Sequence, residues 1–432
     1  MQKFLLALSV SWAVMAPAAA QKTNIKEKEV ARIVRTLSAD DMLGRHVFTP
    51  GIQKASDFIQ QEFKKIGLQP LPGLSSYEQA FTVYKIQPVS TTVSVNGEAL
   101  PAESVIANVS QEELNWANTT TPAVEQVRIP AAANFVAEAG NLMQGRKNAL
   151  VLVDPAHAAI FKRYKNYLEH SNLKTEKNTA AVVLVLTDQP QLNNYQVAVK
   201  NTITEQKLNN IVGLLPGKSR KDEYVIFSAH YDHIGVIKPV NGDSIANGAD
   251  DDASGTTAVI SLAKHFKKQR NNERSLIFVA FTAEEVGGYG SQYFSKQLDP
   301  NQITAMFNIE MIGKESQFGK NAGFITGFDR SDFGTIVQKN LVGSDYQFHP
   351  DPYTKENLFY RSDNATLARL GVPAHSLSSD KIDTDKLYHS VDDEFDSLNI
   401  KNMTQLIKAI AKGASSIISG ADTPTRIAPT NN

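Results

Sequence analysis

Cysteine is absent from the 432 residues. That one absence removes disulfides, thiolate metal sites, iron–sulfur clusters and cysteine nucleophiles together. Any metal in this protein must be held by His, Asp and Glu. An excess of charge of one sign is also missing, since 44 Lys and Arg against 45 Asp and Glu leave a formal net charge of -1. At that balance the electrostatic basis for nucleic-acid binding is gone, and no such partner is expected. Disorder of the whole chain is excluded as well, because apolar residues make up 42% of it and the net charge is small. Long hydrophobic runs are lacking too. The N-terminal apolar run, Phe4 to Met15, has twelve residues, short of the ~20 that a spanning helix needs. No second stretch is long enough, so stable membrane insertion is not expected.

The short run has another meaning. Lys3 precedes it, and Ala18-Ala19-Ala20 follows as a small-residue cleavage site before Gln21, which is the layout of a signal peptide over residues 1–20. No Cys follows the run, so lipid anchoring is out. The mature chain is expected to begin near Gln21 and to be periplasmic or secreted.

One core is too few for a chain this long, so two structural units are expected. Val30, Ile33, Val34 and Leu37 stand at helical spacing. A second helix is expected through Ala55, Phe58, Ile59, Phe63 and Ile66, ending at Gly67. From about Phe81 the texture changes to alternating residues running into Asn96-Gly97, a hairpin signal. Apolar runs at Ala149 to Val153 and Ala180 to Leu186 resemble buried strands. Residues 83–205 carry no clustered His, Asp and Glu, and are read as an inserted, mainly β domain between a first part at 21–82 and the rest at 206–419. In that last part strands (224–229, 276–281, a segment leading to Glu310, 322–326, 373–377) alternate with helices, which implies an α/β fold with a mixed, mostly parallel sheet flanked by helices. The Pro-rich polar segment 420–432 is expected to be a disordered tail.

In open α/β sheets ligands sit outside the carboxyl ends of the strands. Here those positions are unusually polar: His230, Asp232 and His233, then Asp250-Asp251-Asp252, then Glu284-Glu285, Glu310 and Tyr388-His389. Singly, most have a bland reading, as a satisfied histidine, a solvated turn or a charged helix start. Glu310 is harder to dismiss, because it lies in the otherwise apolar segment 305–312. Among the nine His, His233 and His375 compete for any role. Together, so many His and carboxylate side chains at one sheet edge would repel unless cations neutralised them.

His230-Tyr231-Asp232, the segment Gly248 to Gly255, Glu284-Glu285 with Gly290-Ser291, Asn308-Ile309-Glu310-Met311 and Tyr388-His389 resemble, in wording and order, the M28 family of co-catalytic zinc peptidases. Gly44-Arg45, Thr49-Pro50-Gly51, Gly67-Leu68 and Arg361-Ser362-Asp363 are similar to further family segments, and 83–205 resembles the protease-associated domain of exported members. The resemblance implies a zinc-peptidase fold, two Zn2+ and a peptide substrate. It implies Asp251 as the carboxylate shared by both metals, Glu285 and His389 on one, and His230 and Glu310 on the other. Asp232 then resembles the carboxylate that fixes the ring of His230. Glu284 resembles the general base acting on a metal-bridging water, Tyr388 the hydroxyl that stabilises the tetrahedral intermediate, and Arg361 a substrate-contacting arginine. Two positions depart from the pattern: Glu310 stands where many members have Asp, and Asn364 where His is common. The expected activity is that of an exported di-zinc aminopeptidase releasing N-terminal residues. The alternatives are a related carboxypeptidase, deacylase or glutaminyl cyclase, and a non-catalytic binding protein on the same fold. Oligomeric state is not legible.

Overall fold

Two amphipathic helices open the described chain. Glu27–Leu37 buries Val30, Ile33, Val34 and Leu37, and Pro50–Ile66 starts on a proline, whose missing N–H costs nothing at a first helical position. The second helix stops at Gly67, left-handed at φ 78°, whose N–H reaches the carbonyls of Phe63 and Lys64. The computed structural model describes residues 24–428, apart from 121–122, 146, 171–172 and 178. The signal peptide expected over 1–20 lies outside the described residues. Among them no helix is long and apolar enough to cross a membrane.

The central sheet runs in the order Gln347–Pro350, Ala322–Ile325, Ala374–Ser378, Ile303–Ile309, Arg220–His230, Arg274–Phe281, Tyr195–Leu215, Glu78–Val95. Arg220–His230 is parallel to both of its neighbours, and Ile303–Ile309 is parallel to Ala374–Ser378. The long strands Tyr195–Leu215 and Glu78–Val95 are antiparallel. The protein is thus an α/β structure with a mixed, largely parallel sheet flanked by helices.

Alternation along the middle strand assigns its side chains to two cores. Val225, Phe227 and Ala229 pack under the helices Glu27–Leu37, Pro50–Ile66, Gly255–Gln269 and Ile400–Gly413. Ile226 faces the opposite layer, with Phe294 and Leu367. Phe227 stacks on its register partners Phe278 and Phe307, at ring separations of 5.6 and 5.1 Å. That buried apolar stack pins the register of the strands that end at the site.

Strands dominate residues 83–205, and the helices Phe135–Gln144 and Ala158–His170 accompany them. The four-stranded sheet has the order Val105–Asn108, Val182–Leu186, Ala149–Val153, Glu125–Ile129, with parallel pairs that need such crossovers. Val151 and Val153 face the helices, whereas Leu150 and Leu152 face Val93, Trp116 and Val197. Glu78–Val95 and Tyr195–Leu215 pair without leaving the central sheet, from Glu78↔Ile211 to Val95↔Tyr195. Positions 83 and 205 therefore fall inside continuous paired strands and not in linkers.

The expectation of a disordered tail from 420 needs correcting over the described residues. Arg274, which is buried, donates to the carbonyls of Ile417 and Asp422 and to Thr423 Oγ1, each at 2.6–2.7 Å. Ile427 is buried in the second core cluster. A buried guanidinium needs acceptors, and the tail supplies two of them, which composition alone does not reveal.

Candidate metal and catalytic site

His230 is the last residue of its strand, and Glu310 directly follows Ile303–Ile309. Glu284 and Glu285 follow Arg274–Phe281, and Tyr388-His389 stand in the loop after Ala374–Ser378. Parallel strands bring these ends to one edge. Asp251 arrives from the segment Ala249–Ser254 that precedes the helix Gly255–Gln269.

Two donor groups share Asp251. Its Oδ1 lies 3.2 Å from His230 Nε2, which is itself 3.4 Å from Glu310 Oε1. Its Oδ2 lies 3.2 Å from His389 Nε2, which is 3.1 Å from Glu285 Oε2. Atoms bound to one tetrahedral zinc at about 2.0–2.2 Å stand roughly 3.3 Å apart. The donor types and separations therefore suit zinc, and Asp251 is common to both groups.

Electrostatics point the same way. Burial opposes ionisation of Asp251, yet the imidazoles of His233, His230 and His389 hold its carboxyl well below the usual range. Burial likewise disfavours the His389 imidazolium, but hydrogen bonds to Asp251 and Glu285 push it up to about 10. Such mutual stabilisation of protons and carboxylates is what a cation displaces when it binds. Burial pushes Glu284 well above its ordinary 4.5, helped by Asp363, Glu310 and Glu285 and opposed by His230. Tyr388 is pushed far up by burial and by the Asp251, Glu285, Glu310 and Glu284 carboxylates, and its ring stacks on His389 at 3.9 Å. Its hydroxyl therefore stays protonated and able to donate.

The surroundings hold these groups by backbone contacts. His230 Nδ1 faces the backbone carbonyl of Asp232 at 3.0 Å, while the Asp232 carboxylate is 3.9 Å away. That carboxylate instead accepts the amides of Glu284 and Glu285, at 3.1 and 3.3 Å. Asp232 thus touches the His230 ring through its carbonyl, and its side chain, pushed up to about 6 by burial, anchors the glutamate pair. The neighbours of Asp251 act similarly. Asp250 Oδ1 accepts from Gly313 N, and Asp252 Oδ1 from Gly255 N and Met311 N. Asp393 accepts the amides of both Asp250 and Asp251. Buried Arg45 donates to the carbonyls of Leu37, Tyr231, Asn247 and Gly248 at 2.6–2.9 Å. Ser362 Oγ donates to Glu310 Oε2 at 2.6 Å.

The cleft over these groups also takes in Met311, Phe324, Leu358, Ile382 and Arg361. Arg361 sits at its rim, exposed and 3.3 Å from Glu356. His233, named in the sequence only as a competitor, is fully buried with Nδ1 2.8 Å from Glu285 Oε1. The only sequence signal for it is its place one residue past Asp232. His375 is elsewhere, between Thr326 O and Ser331, and burial pushes it down to about 4. A roomier groove lies beside Ile400–Gly413, lined by Lys320, Lys401, Lys408 and Lys412. It holds none of these donors, so chemistry and not size locates the site.

The mixed α/β sheet thus carries a His and carboxylate cluster at the carboxyl ends of its parallel strands, where sheets of this kind bind ligands, and the donor types are those of zinc sites. The sequence model of peptidase family M28 matches residues 210–414. Leucine aminopeptidase 1 of Ajellomyces capsulatus is 29% identical over 215 residues, covering 46% of this chain and 53% of that protein. The leucine aminopeptidase 1 of Paracoccidioides brasiliensis is 26% identical over 301 residues, covering 65% and 74%. The chain spans about half the length of the first of these relatives. Among solved structures, the zinc aminopeptidase BSAP of Bacillus subtilis superposes with a TM-score of 0.55 at 16% identity, covering 93% of this chain and 98% of that one. An aminopeptidase from Aneurinibacillus gives 0.53 at 16% identity, covering 94% and 95%. These two likenesses show the shared fold.

Proposed function

We propose that this chain is an exported aminopeptidase that uses two zinc ions to hydrolyse the first peptide bond of peptide substrates. The observation that carries the reading is the pair of donor groups sharing Asp251, at separations of 3.1–3.4 Å, with Glu284 in the same cleft. His230 and Glu310 would hold one ion, Glu285 and His389 the other, and Asp251 both. Bound there, the zinc pair supplies Lewis-acid polarisation and activation of water.

The remaining work falls to the chain itself. Glu284 is a stronger base than a free carboxylate because burial disfavours its charge, so it is suited to take a proton from water and return it to the leaving amine. Asp232 fixes the backbone at 284 and 285, so the two neighbouring side chains take separate tasks. Tyr388 keeps its proton and can donate to a developing oxyanion. The carboxylates around the cleft offer partners for a substrate ammonium group, which favours a free N-terminus. Met311, Phe324, Leu358 and Ile382 give the cleft an apolar wall that suits an aliphatic first side chain, consistent with the leucine aminopeptidases among the relatives. Arg361, at the rim, is placed to meet the more distant part of a peptide.

The test compares one short peptide in free, N-acetylated and C-amidated forms, with metal content measured in parallel. Two zinc equivalents, tolerance of amidation and block by acetylation are expected, and chelation should abolish turnover. Turnover of the acetylated peptide with loss on amidation would move the protein to the carboxypeptidase alternative. Export is tested separately by sequencing the N-terminus of the exported protein, which should begin at Gln21.

A further inference from the structure

His233 makes a contact that the five donors do not require. Its ring is wholly buried, with Nδ1 2.8 Å from Glu285 Oε1 and 3.7 Å from Asp251 Oδ2. Nε2 has no hydrogen-bond partner among the described residues. A carboxylate can only accept, so the nitrogen facing it carries the proton.

The distance separates two roles. The donor pairs around Asp251 stand 3.1–3.4 Å apart, as atoms sharing a tetrahedral ion do. The 2.8 Å contact of His233 is shorter and goes to the other oxygen of Glu285, since Oε2 faces His389. It has the length of a charge-assisted hydrogen bond. The ring is also seated from behind: a Cβ on Gly248 would come within 2.5 Å of His233 Cδ2 and Cγ, and that glycine is left-handed at φ 56°. The turn before Asp251 is therefore shaped around this imidazole. The His233 amide further meets the carbonyl of Arg45 at 3.4 Å.

We propose that His233 is a positioning residue of the metal centre, which donates from Nδ1 to Glu285 Oε1 and so turns Oε2 alone towards the position shared by Asp251 and His389. This rests on the metal reading of the preceding section. The role is electrostatic and directional: the ring restricts Glu285 to one oxygen and raises the affinity of that one position, without being a ligand.

The experiment is stepwise zinc titration of the full chain, stripped of metal, for wild type and for His233→Ala, His233→Leu and His233→Gln. Wild type should bind in two steps. The alanine and leucine variants should bind one equivalent ~10–100-fold more weakly and the other unchanged, because outer hydrogen-bond partners contribute about that factor to metal affinity. Glutamine keeps an N–H donor and should recover most of the loss. X-ray absorption on the loaded proteins should count the same number of His per zinc throughout. Unchanged affinities in both apolar variants would overturn the proposal, as would an equal loss in the glutamine variant, which indicates packing alone. A drop in the His count would make His233 a ligand and also overturn it. Nitrogen NMR of the wild-type zinc protein needs no variant: the proton is expected on Nδ1, and a proton on Nε2 alone refutes the role even where the variants do not fold. A wild type that binds no zinc would instead refute the metal reading.

Discussion

Glu284 and Glu285 are adjacent in the chain, and the Asp232 carboxylate holds the amides of both. Beyond that common anchor they part: Glu285 faces His233 and His389, and Glu284 is pushed up by burial. Glu284→Gln should therefore lower kcat by at least ~10²-fold with zinc content unchanged. Glu285→Gln should instead lower zinc content, since a neutral amide replaces a carboxylate. The opposite pattern in paired kinetics and metal analysis would exchange the two roles. That His230, Asp251, Glu285, Glu310 and His389 would stand together was legible from motif order, because the pattern places His and carboxylate side chains at successive strand ends. His233 was not, since a histidine one residue past Asp232 reads equally as ligand, support or packing until its partner oxygen is seen. Asp232 shows a related limit. Its spacing from His230 suggests a carboxylate on the ring, but the backbone carbonyl takes that place at 3.0 Å.

Between elements, the site is held mostly through main-chain groups. Arg45 lies between the two opening helices, outside the segment 210–414 matched by the family model. Its guanidinium nevertheless joins the end of Glu27–Leu37 to the segments bearing His230 and Asp251, through the carbonyls of Leu37, Tyr231, Asn247 and Gly248. Lys314 is a second link: it pairs with Asp385 at 2.5 Å and Asp250 at 3.3 Å, and so connects the Glu310, His389 and Asp251 segments. Carbonyl acceptors have no sequence signature, so Gly44-Arg45 could be matched to a family segment without its purpose being visible. Arg45→Met should cost about 3 kcal/mol or more in denaturant unfolding, because several buried carbonyls lose their donor and each orphan costs about 1–3 kcal/mol. Arg45→Lys should recover only part of this, since one ammonium cannot reproduce the planar fork. Full recovery by lysine in the same unfolding curves would show that charge alone suffices.

At the scale of the molecule, two peripheral segments relate differently to the core. The tail completes Arg274 through Asp422 O and Thr423 Oγ1. A chain ending at Gly420 should therefore melt several degrees lower while keeping its zinc, because a buried guanidinium loses acceptors far from the metal donors. Unchanged melting would show that water replaces the tail. Residues 83–205 reach the neighbourhood of Glu284 through Leu173. Leu173 packs with Val83, Leu208 and Ala283, the residue before Glu284, and its carbonyl accepts from Tyr289 at 2.7 Å. The segment supplies none of the metal donors, so it is expected to govern which peptides reach the cleft, and not the hydrolysis itself. The paired strands indicate how to remove it. Lys85 and Thr204 are direct partners in an antiparallel ladder, so an Asn-Gly turn joining them closes the ribbon as a two-residue hairpin. That variant should fold and bind zinc as wild type does, because the central sheet and every donor remain. Its ranking of short against long peptides should change, since Leu173 no longer covers Ala283 beside the glutamate pair. Comparing kcat/KM over a length series with zinc content checks both halves. Loss of zinc in the folded variant would place the segment within the metal centre, and an unchanged length ranking would deny it a part in access.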